Sequence, residues 1–373
     1  MGDLTLVLLA AGSSSRFECS SKKQWLRIGH RPLWQEVAKK CVETKLFSKI
    51  IITSAKEDIM FMKNYDLFTF VQGSTTRQKS LQNALKKVET DFVLVSDIAR
   101  ACISEKLLKN IISQIGKADC IVPYLEVSDT VVYEDKTIDR QKVKRVQTPQ
   151  LSRTSVLKTS LETDEEFTDE SSAIVAYGGS REFVLGDSEA NKITFVKDLN
   201  QLSCLAKPST DTFSGTGFDV HAFDEKTDMY LCGVKIDVDF GFRAHSDGDV
   251  AIHALIDALL GAAGMGDIGD IFPDSSDEFK DIDSKILLQR VVKKIYDFGF
   301  IIVNVDITIA AQTPKISKYK LQMRKTIAKI LKCDSSRVNI KATTTEKLGF
   351  IGRSEGVGVI ANANLKYFDW TKI

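Results

Sequence analysis

The sequence predicts an α/β protein of two domains, a doubly wound N-terminal one and an α+β C-terminal one. Three observations predict it. Apolar runs of strand length alternate with amphipathic segments through the first half of the chain, the pattern of a parallel sheet with helices on both faces. The stretch Asp198–Gly215, containing Lys207-Pro-Ser-Thr-Asp, sets polar and breaker residues between apolar segments and marks a domain boundary. The length of 373 residues exceeds one ordinary core, since a domain takes about 150 residues.

The predicted strands are Leu4–Ala10, Lys49–Thr53, Phe92–Ser96 and Asp119–Pro123, and the segments Pro32–Glu43, Arg77–Lys87 and Glu105–Ile115 between them have helical spacing. Ligands of a doubly wound sheet sit at the carboxyl ends of its strands, so the loop Ala10–Arg16 lies at the expected active edge. Thr130–Gln147, β-branched around the turn-like Glu134-Asp135-Lys136, reads as a protruding hairpin. A lone hairpin is only marginally stable, so this one is expected to pack on something further, such as a second subunit. Past the boundary, Val250–Gly261 and Ser284–Asp297 read as helices, while Phe300–Ala310 and Val357–Leu365 alternate like strands. The expected domains are residues 1–205 and 213–373, joined by a linker at 206–212.

Lys plus Arg number 51 against 50 Asp plus Glu, so no basic field draws nucleic acid or an anionic membrane. Small molecules are the expected partners. The seven cysteines are scattered and never stand as Cys-x-x-Cys; they read as core or incidental thiols in a reducing compartment. Asp3 stands where a signal peptide would carry positive charge, and Leu6 breaks the myristoylation pattern. No apolar stretch approaches the roughly 18–20 residues that span a bilayer, and the expected location is cytoplasmic.

In Ala10-Ala-Gly-Ser-Ser-Ser-Arg16 the small residues let backbone N–H groups approach a phosphate, while Arg16 and Lys23 bring full charge. No Gly-Lys-Ser/Thr follows, so this is not a P-loop. The spacing alone fits a polar turn with solvated cations equally well. The ordered motifs that follow are more specific: Lys23-Gln24, Gly73…Arg77-Gln78…Ser80, Ser96-Asp97-Ile98-Ala99-Arg100, Ser128-Asp129-Thr130, Asp139-Arg140, Thr148-Pro149-Gln150, Phe167-Thr168-Asp169-Glu170 and Asn191-Lys192-Ile193-Thr194. With them, residues 1 to about 200 resemble the 2-C-methyl-D-erythritol 4-phosphate cytidylyltransferases. The resemblance implies a Rossmann-like nucleotidyltransferase domain with a β-hairpin arm, in which the substrate's phosphate attacks the α-phosphorus of CTP with Mg²⁺ accompanying the nucleotide. It implies catalytic roles for Arg16, Lys23, Arg140 and Lys192. Arg140 and Lys192 would hold the methylerythritol phosphate, Thr130, Thr148 and Thr168 would line its pocket, and Gly12, Gly73, Arg77, Ser80, Asp97 and Arg100 would contact substrate. Arg140, on the arm, would reach a neighbouring subunit's site, making a dimer. The chain departs from the family pattern in a Ser for the loop's second Gly, Lys22 for a Pro and Ser96 for a His.

Three of the four histidines fall in Phe218-Asp-Val-His221, Ala244-His-Ser-Asp-Gly-Asp249 and Ile252-His253-Ala254. An Asp-x-His pair plus one distant His supplies three ligands to a zinc-type ion and leaves the fourth position open. A structural site would close with Cys or another His, and no cysteine has motif spacing here, which favours a catalytic ion. On a helix Val250–Gly261, Asp249, His253 and Asp257 share a face. Ala342-Thr343-Thr344-Thr345-Glu346 gathers hydroxyls and a carboxylate; the threonines fit β-branched strand filler, and Glu346 suits a Mg²⁺–phosphate partner.

With Gly266-Asp267-Ile268-Gly269-Asp270-Ile271-Phe272-Pro273-Asp274, Ala311-Gln-Thr-Pro-Lys315 and Lys347-Leu348-Gly349-Phe350…Arg353, these blocks make residues 213–373 resemble the 2-C-methyl-D-erythritol 2,4-cyclodiphosphate synthases. The resemblance implies that a 2-phosphate attacks the β-phosphorus of the CDP-linked substrate and expels CMP. Asp219, His221 and His253 would hold Zn²⁺ and Glu346 a Mg²⁺, with His245 and Thr344 donating to developing charge. Asp267, Ile268, Gly269, Phe272, Pro273, Asp274, Ser275 and Ser276 would contact the erythritol portion. Ala311, Pro314 and Lys315 would form the cytosine pocket, and Ser246, Thr343, Thr345, Phe350 and Arg353 would add substrate contacts. Family members are trimers with sites between subunits.

The two resemblances together imply a fused enzyme of non-mevalonate isoprenoid biosynthesis. Its two steps are separated by a kinase reaction, so a contact with that kinase is a subsidiary expectation, and dimer plus trimer contacts imply a hexamer. The alternative is an active synthase whose N-terminal domain binds nucleotide without turnover.

Overall fold

The computed structural model describes residues 3–62, 65, 67–225, 228–244, 246–273, 277–279 and 282–372. It divides into two compact units between Pro208 and Ser209, with the chain from Asp369 onward returning to the first unit.

The first unit is built on one sheet whose strands lie in the order Arg145–Val146, Cys120–Leu125, Gln150–Arg153, Phe92–Asp97, Leu4–Leu9, Lys49–Ser54 and Thr69–Gln72, with Arg181–Leu185 also paired to Cys120–Leu125. Leu4–Leu9 is buried along its whole length, as a strand covered on both faces must be. It pairs in parallel with Lys49–Ser54 and Phe92–Asp97, which brings their carboxyl ends to one edge. The helices Leu33–Glu43, Arg77–Leu85 and Glu105–Ile112 fall inside the predicted segments. Val7, Ile51, Leu81, Val93, Val95 and Leu157 belong to the core between sheet and helices.

Two strands depart from the purely parallel expectation, and the first is Arg145–Val146, antiparallel to Cys120–Leu125. Gln150–Arg153 runs antiparallel to both neighbours, because the chain leaves the sheet at the carboxyl end of Cys120–Leu125 and re-enters from that same end. Between them lies a hairpin of Val131–Tyr133 and Lys136–Ile138, shorter than the predicted 130–147. Its corner residues Glu134 and Asp135 both have positive φ, 47° and 60°, as a two-residue turn matched to strand twist requires.

Cys102 and Cys204 form a disulfide, with Cα atoms 5.8 Å apart and a sequence separation of 102. The reading of all seven cysteines as core or incidental thiols is corrected for this pair, which only the folded chain brings together. The last residues also differ from expectation. Counted with 213–373, they join the first unit instead, because the Trp370 ring is buried there and its indole N–H donates to the Arg27 carbonyl at 2.8 Å.

The second unit has a five-stranded sheet in the order Gly241–Phe242, Thr212–Asp224, Gly356–Tyr367, Phe300–Ala310 and Val338–Thr343. The strand Thr212–Asp224 begins inside the breaker-rich stretch that marked the boundary. Helix Val250–Ala263 packs directly on this strand, because a Cβ at Gly217 would run into the Ala254 carbonyl. Glycine there permits a close approach that any side chain would prevent. Among the described residues, no helix is long and apolar enough to cross a membrane.

Candidate active sites

A cavity of about 460 Å³ opens at the carboxyl ends of Leu4–Leu9 and Phe92–Asp97, with Gly12, Arg16, Lys23, Gln24, Arg77, Ser80, Asp97 and Lys192 in its wall. Its glycine-serine loop is pinned from within: Gln24 donates to the Gly12 carbonyl at 3.1 Å, and the Ser14 hydroxyl donates to Gln24 Oε1 at 3.2 Å while accepting from the Lys23 N–H at 3.0 Å. Ser14 itself is left-handed, φ 59°. That conformation costs a non-glycine residue about 1–2 kcal/mol, which its two side-chain hydrogen bonds offset. Opposite, Gly73 lies so near the Ala11 side chain that a Cβ would overlap it.

Four charges alternate in a chain that runs from the buried Glu170 out to the cavity wall. Arg77 Nη1 meets Glu170 Oε1 at 2.6 Å, Arg77 Nε meets Asp97 Oδ1 at 3.1 Å, and Lys192 Nζ meets Asp97 Oδ2 at 2.7 Å. Burial would raise the Asp97 carboxyl, but Arg77 and Lys192 outweigh it and bring it down to about 2. Burial pushes the Glu170 carboxyl up against the pull of Arg77. Lys23 is lowered, first by burial and then by the cations Lys192 and Arg16; its ammonium donates to the Ile193 carbonyl at 3.0 Å. A second cavity of about 320 Å³ is walled by Arg100, Arg145, Gln147, Asn191 and again Lys192, so Lys192 stands between the two. Arg100 donates to the Thr148 hydroxyl at 2.9 Å and the Ala190 carbonyl at 2.6 Å.

In the second unit, one ligand atom each from Asp219, His221 and His253 lie within 4.8 Å of one another. Asp219 Oδ2 is 3.2 Å from His221 Nε2 and 3.4 Å from His253 Nδ1. Burial would raise the Asp219 carboxyl, yet the two imidazoles carry it well below the usual range. One carboxylate oxygen and two imidazole nitrogens suit a tetrahedral zinc-type ion, and the adjoining cavity of about 350 Å³ leaves room for a fourth ligand. Asp257, Ser246, Ile268, Gly269 and Phe272 also line that cavity. Asp257 accepts from the Ile268 N–H at 2.8 Å, and Asp267 caps the short helix Ile268–Ile271 through the Asp270 N–H at 3.1 Å.

The threonine run lies elsewhere on the sheet. Asp219 is level with Val359, Val359 with Ile309, and Ile309 with Ala342. The metal cluster and Thr343 therefore share one end of the sheet but stand about three strand spacings apart, roughly 14 Å. Ala311 donates its N–H to the Thr343 carbonyl at 3.0 Å, which draws Ala311–Lys315 towards the threonines. Glu346 accepts from the Thr344 hydroxyl at 2.8 Å.

Residues 4–205 match the family model described as 2-C-methyl-D-erythritol 4-phosphate cytidylyltransferase, and residues 213–366 match that of the YgbB family. A "Bifunctional enzyme IspD/IspF" of Sulfurimonas denitrificans is 68% identical over 370 residues, 99% of this chain and 96% of that one. Its counterpart in Aliarcobacter butzleri is 53% identical over 373 residues, the whole of both chains. The chain belongs to the bifunctional IspD/IspF family. The solved structure of the bifunctional IspDF from Campylobacter jejuni superposes with a TM-score of 0.89 at 46% identity, covering 99% of this chain and 100% of that one. Both catalytic domains of the family, cytidylyltransferase and cyclodiphosphate synthase, are present here.

Within this family frame, Gly12, Arg16, Lys23, Arg77, Ser80, Asp97 and Lys192 are gathered at one cavity, with Gly73 behind it and Arg100 at the second. Thr148 is buried and its hydroxyl is taken by Arg100. Thr130, Arg140 and Thr168 are exposed and outside both linings; Arg140 donates to the Ser128 carbonyl at 2.6 Å. In the second unit Asp219, His221, Ser246, His253, Ile268, Gly269 and Phe272 meet at one cavity. Pro273 is exposed, and His245, Asp274, Ser275 and Ser276 lie outside the described residues. Thr343, Thr344, Thr345, Glu346, Phe350, Arg353, Pro314 and Lys315 do not line that cavity; Thr345 caps the Leu348 carbonyl and Arg353 pairs with Glu355. Asp249, read as sharing a face with His253, is instead the fully buried N-cap of Val250–Ala263, holding the Cys232 and Gly233 N–H groups at 2.9 and 2.6 Å.

Lys22, which replaces a family Pro, points away from the loop to Asp58 at 3.0 Å. Glu170 and Arg145 were not singled out by sequence reasoning. Glu170 stands inside a quoted motif, yet nothing in its spacing shows that it is buried against Arg77.

Proposed function

We propose that the first unit transfers the cytidylyl group of CTP to 2-C-methyl-D-erythritol 4-phosphate. We propose that the second converts CDP-methylerythritol 2-phosphate into 2-C-methyl-D-erythritol 2,4-cyclodiphosphate and CMP. What carries the first reading is the convergence of Arg16, Lys23 and Lys192 on one cavity beside the pinned glycine-serine loop. A phosphate oxygen of the substrate attacks the α-phosphorus in line, a P–O bond forms, the bond to the β-phosphate breaks and pyrophosphate leaves. Such a step needs positioning and cations more than covalent help. Arg16 and Lys23 stabilise the charge gathered at the α-phosphorus, with Mg²⁺ accompanying CTP. Lys192, between the two cavities, orients the incoming phosphate, and Arg140 reaches it from a neighbouring subunit.

In the second reaction a 2-phosphate oxygen attacks the β-phosphorus and CMP departs. Folding a polyanion onto itself is opposed by charge repulsion and entropy. Asp219, His221 and His253 would hold Zn²⁺, which supplies Lewis-acid stabilisation when bound. Glu346 fits one carboxylate of a Mg²⁺ site completed by substrate phosphates. The roughly 14 Å between this cluster and the threonine run supports a site completed by a neighbouring subunit, hence trimer contacts. With dimer contacts through the arm, the closed assembly is a hexamer. A subsidiary contact with the intervening kinase is open to co-sedimentation, and water-borne phosphorylated substrates fit a cytoplasmic location.

The test of the first reading is phosphorus NMR of the full chain with CTP, methylerythritol phosphate and Mg²⁺. A CDP-linked product and pyrophosphate are expected, with the rate falling by about 10²–10³ in Arg16→Ala. No turnover would leave the N-terminal unit as a nucleotide-binding domain beside an active synthase.

A further inference from the structure

The two histidines of the metal cluster turn opposite ring nitrogens towards Asp219. His221 presents Nε2, and its Nδ1 lies 2.9 Å from the Gly248 carbonyl. A carbonyl only accepts, so Nδ1 carries the hydrogen and Nε2 keeps its lone pair. His253 presents Nδ1, and its Nε2 lies 3.0 Å from Ser284 Oγ and 3.2 Å from Ser246 Oγ. The decisive contact is one bond further out. The Ser284 hydroxyl donates to Asp247 Oδ1 at 2.5 Å, and a carboxylate accepts only. With its one hydrogen committed, the Ser284 oxygen accepts from His253, which places the hydrogen on Nε2 and the lone pair on Nδ1.

This outer chain is rigid. Ser284 is fully buried at the first position of helix Ser284–Asp297, whose N-cap is Asp283. Asp247 Oδ1 also accepts from the Asp249 N–H at 3.3 Å, and the Asp247 N–H is held by the Ile282 carbonyl at 3.2 Å.

We propose that Ser284 and Asp247 are positioning residues of the metal site, a relay that locks His253 in the tautomer offering Nδ1 to the ion. The inference rests on the metal reading of Asp219, His221 and His253 given above. Without the Ser284 hydroxyl, Nε2 is left with Ser246 alone, and the ring is free to turn or to shift its hydrogen to Nδ1. Outer partners of metal-bound histidines typically govern 10–100-fold in affinity.

The experiment is competition between the full-length protein and a zinc chelator of known affinity, read as bound Zn²⁺ rather than as turnover. Ser284→Ala is expected to weaken Zn²⁺ by about 10–100-fold, and Ser284→Thr, which keeps the hydroxyl, to stay within about threefold of the parent. Asp247→Asn preserves shape but holds the Ser284 hydrogen less firmly, so a smaller loss of about 3- to 10-fold is expected; it decides alone if Ser284→Ala does not fold. Affinities of Ser284→Ala and Asp247→Asn within twofold of the parent would overturn the relay. So would a Ser284→Thr loss as large as that of Ser284→Ala, which would mark packing rather than the hydrogen bond. A parent that binds no Zn²⁺ would overturn the metal reading itself, a pattern distinct from either.

Discussion

The two candidate sites are assembled in different ways. In the first unit, Arg16, Lys23, Asp97 and Lys192 come from segments far apart in sequence yet line one cavity. In the second, Asp219 and Thr343 stand at the same end of their sheet with two strands between them. The difference lies in topology. Parallel strands deliver their loops at one edge, where neighbouring loops converge. A broad sheet whose candidates sit with two strands between them keeps them well separated, and the trimer proposed above would close the gap with a second copy of the chain.

The largest expected contrast comes from removing metal. After exhaustive chelation, Mg²⁺ alone should restore cytidylyl transfer. Ring closure should stay down by about 10³ until Zn²⁺ returns, the equivalent of several kcal/mol of Lewis-acid stabilisation. Full ring closure with Mg²⁺ alone would erase the chemical distinction between the sites.

Complementation sharpens the topological one. His253→Ala and Glu346→Ala chains are each expected to be inactive in ring closure, one lacking the metal half and the other the threonine half. Co-expressed, they should recover about a quarter of the parental rate, since random mixing gives a sound metal half beside a sound threonine half in half of one half of the interfaces. No recovery in verified mixed oligomers would mean that both halves of each site belong to one chain.

Much of this contrast was legible in the sequence and part was not. Strand and helix positions in the first unit followed from hydrophobic periodicity, because Leu4–Leu9 and its neighbours are buried for local reasons. The metal cluster was legible because Asp219 and His221 alternate along one strand while His253 lies on a helix that glycine brings close. The Cys102–Cys204 pair, the return of Trp370 to the first unit and the burial of Glu170 were not. Each depends on which distant segment the fold delivers, which no local spacing encodes. Asp249 shows the converse: it was read as sharing a helix face with His253, but its carboxylate caps backbone N–H groups.

Glu170 tests how far the first site depends on its buried charge ladder. Its side chain is fully enclosed and Arg77 is its partner at 2.6 Å. Glu170→Gln leaves the partly exposed Arg77 guanidinium with Asp97 and one weaker hydrogen bond in place of a carboxylate, a loss of about 1.5–3 kcal/mol. Chemical denaturation should show that loss in the first unit alone. All three tryptophans, Trp25, Trp34 and Trp370, belong to it, so indole fluorescence reports this unit without interference. Ring closure at the second unit should persist, and a loss of both activities together would mean that the units do not unfold independently.

The smallest effect is set by acid. Asp97 falls from an ordinary value of 3.8 to about 2 in the folded chain, because Arg77 and Lys192 favour its ionised form. A carboxyl lowered on folding stabilises above its unfolded value, and that contribution drains away as pH falls through the folded one. Between pH 4 and pH 2 the first unit should therefore lose about 2 kcal/mol that traces to Asp97. Urea unfolding by tryptophan fluorescence at steps across that window measures it. In Asp97→Asn this part of the slope should vanish while the rest of the acid sensitivity remains. An unchanged slope would mean that the ladder's cations find other partners in acid, and that Asp97 orients Lys192 without stabilising the fold.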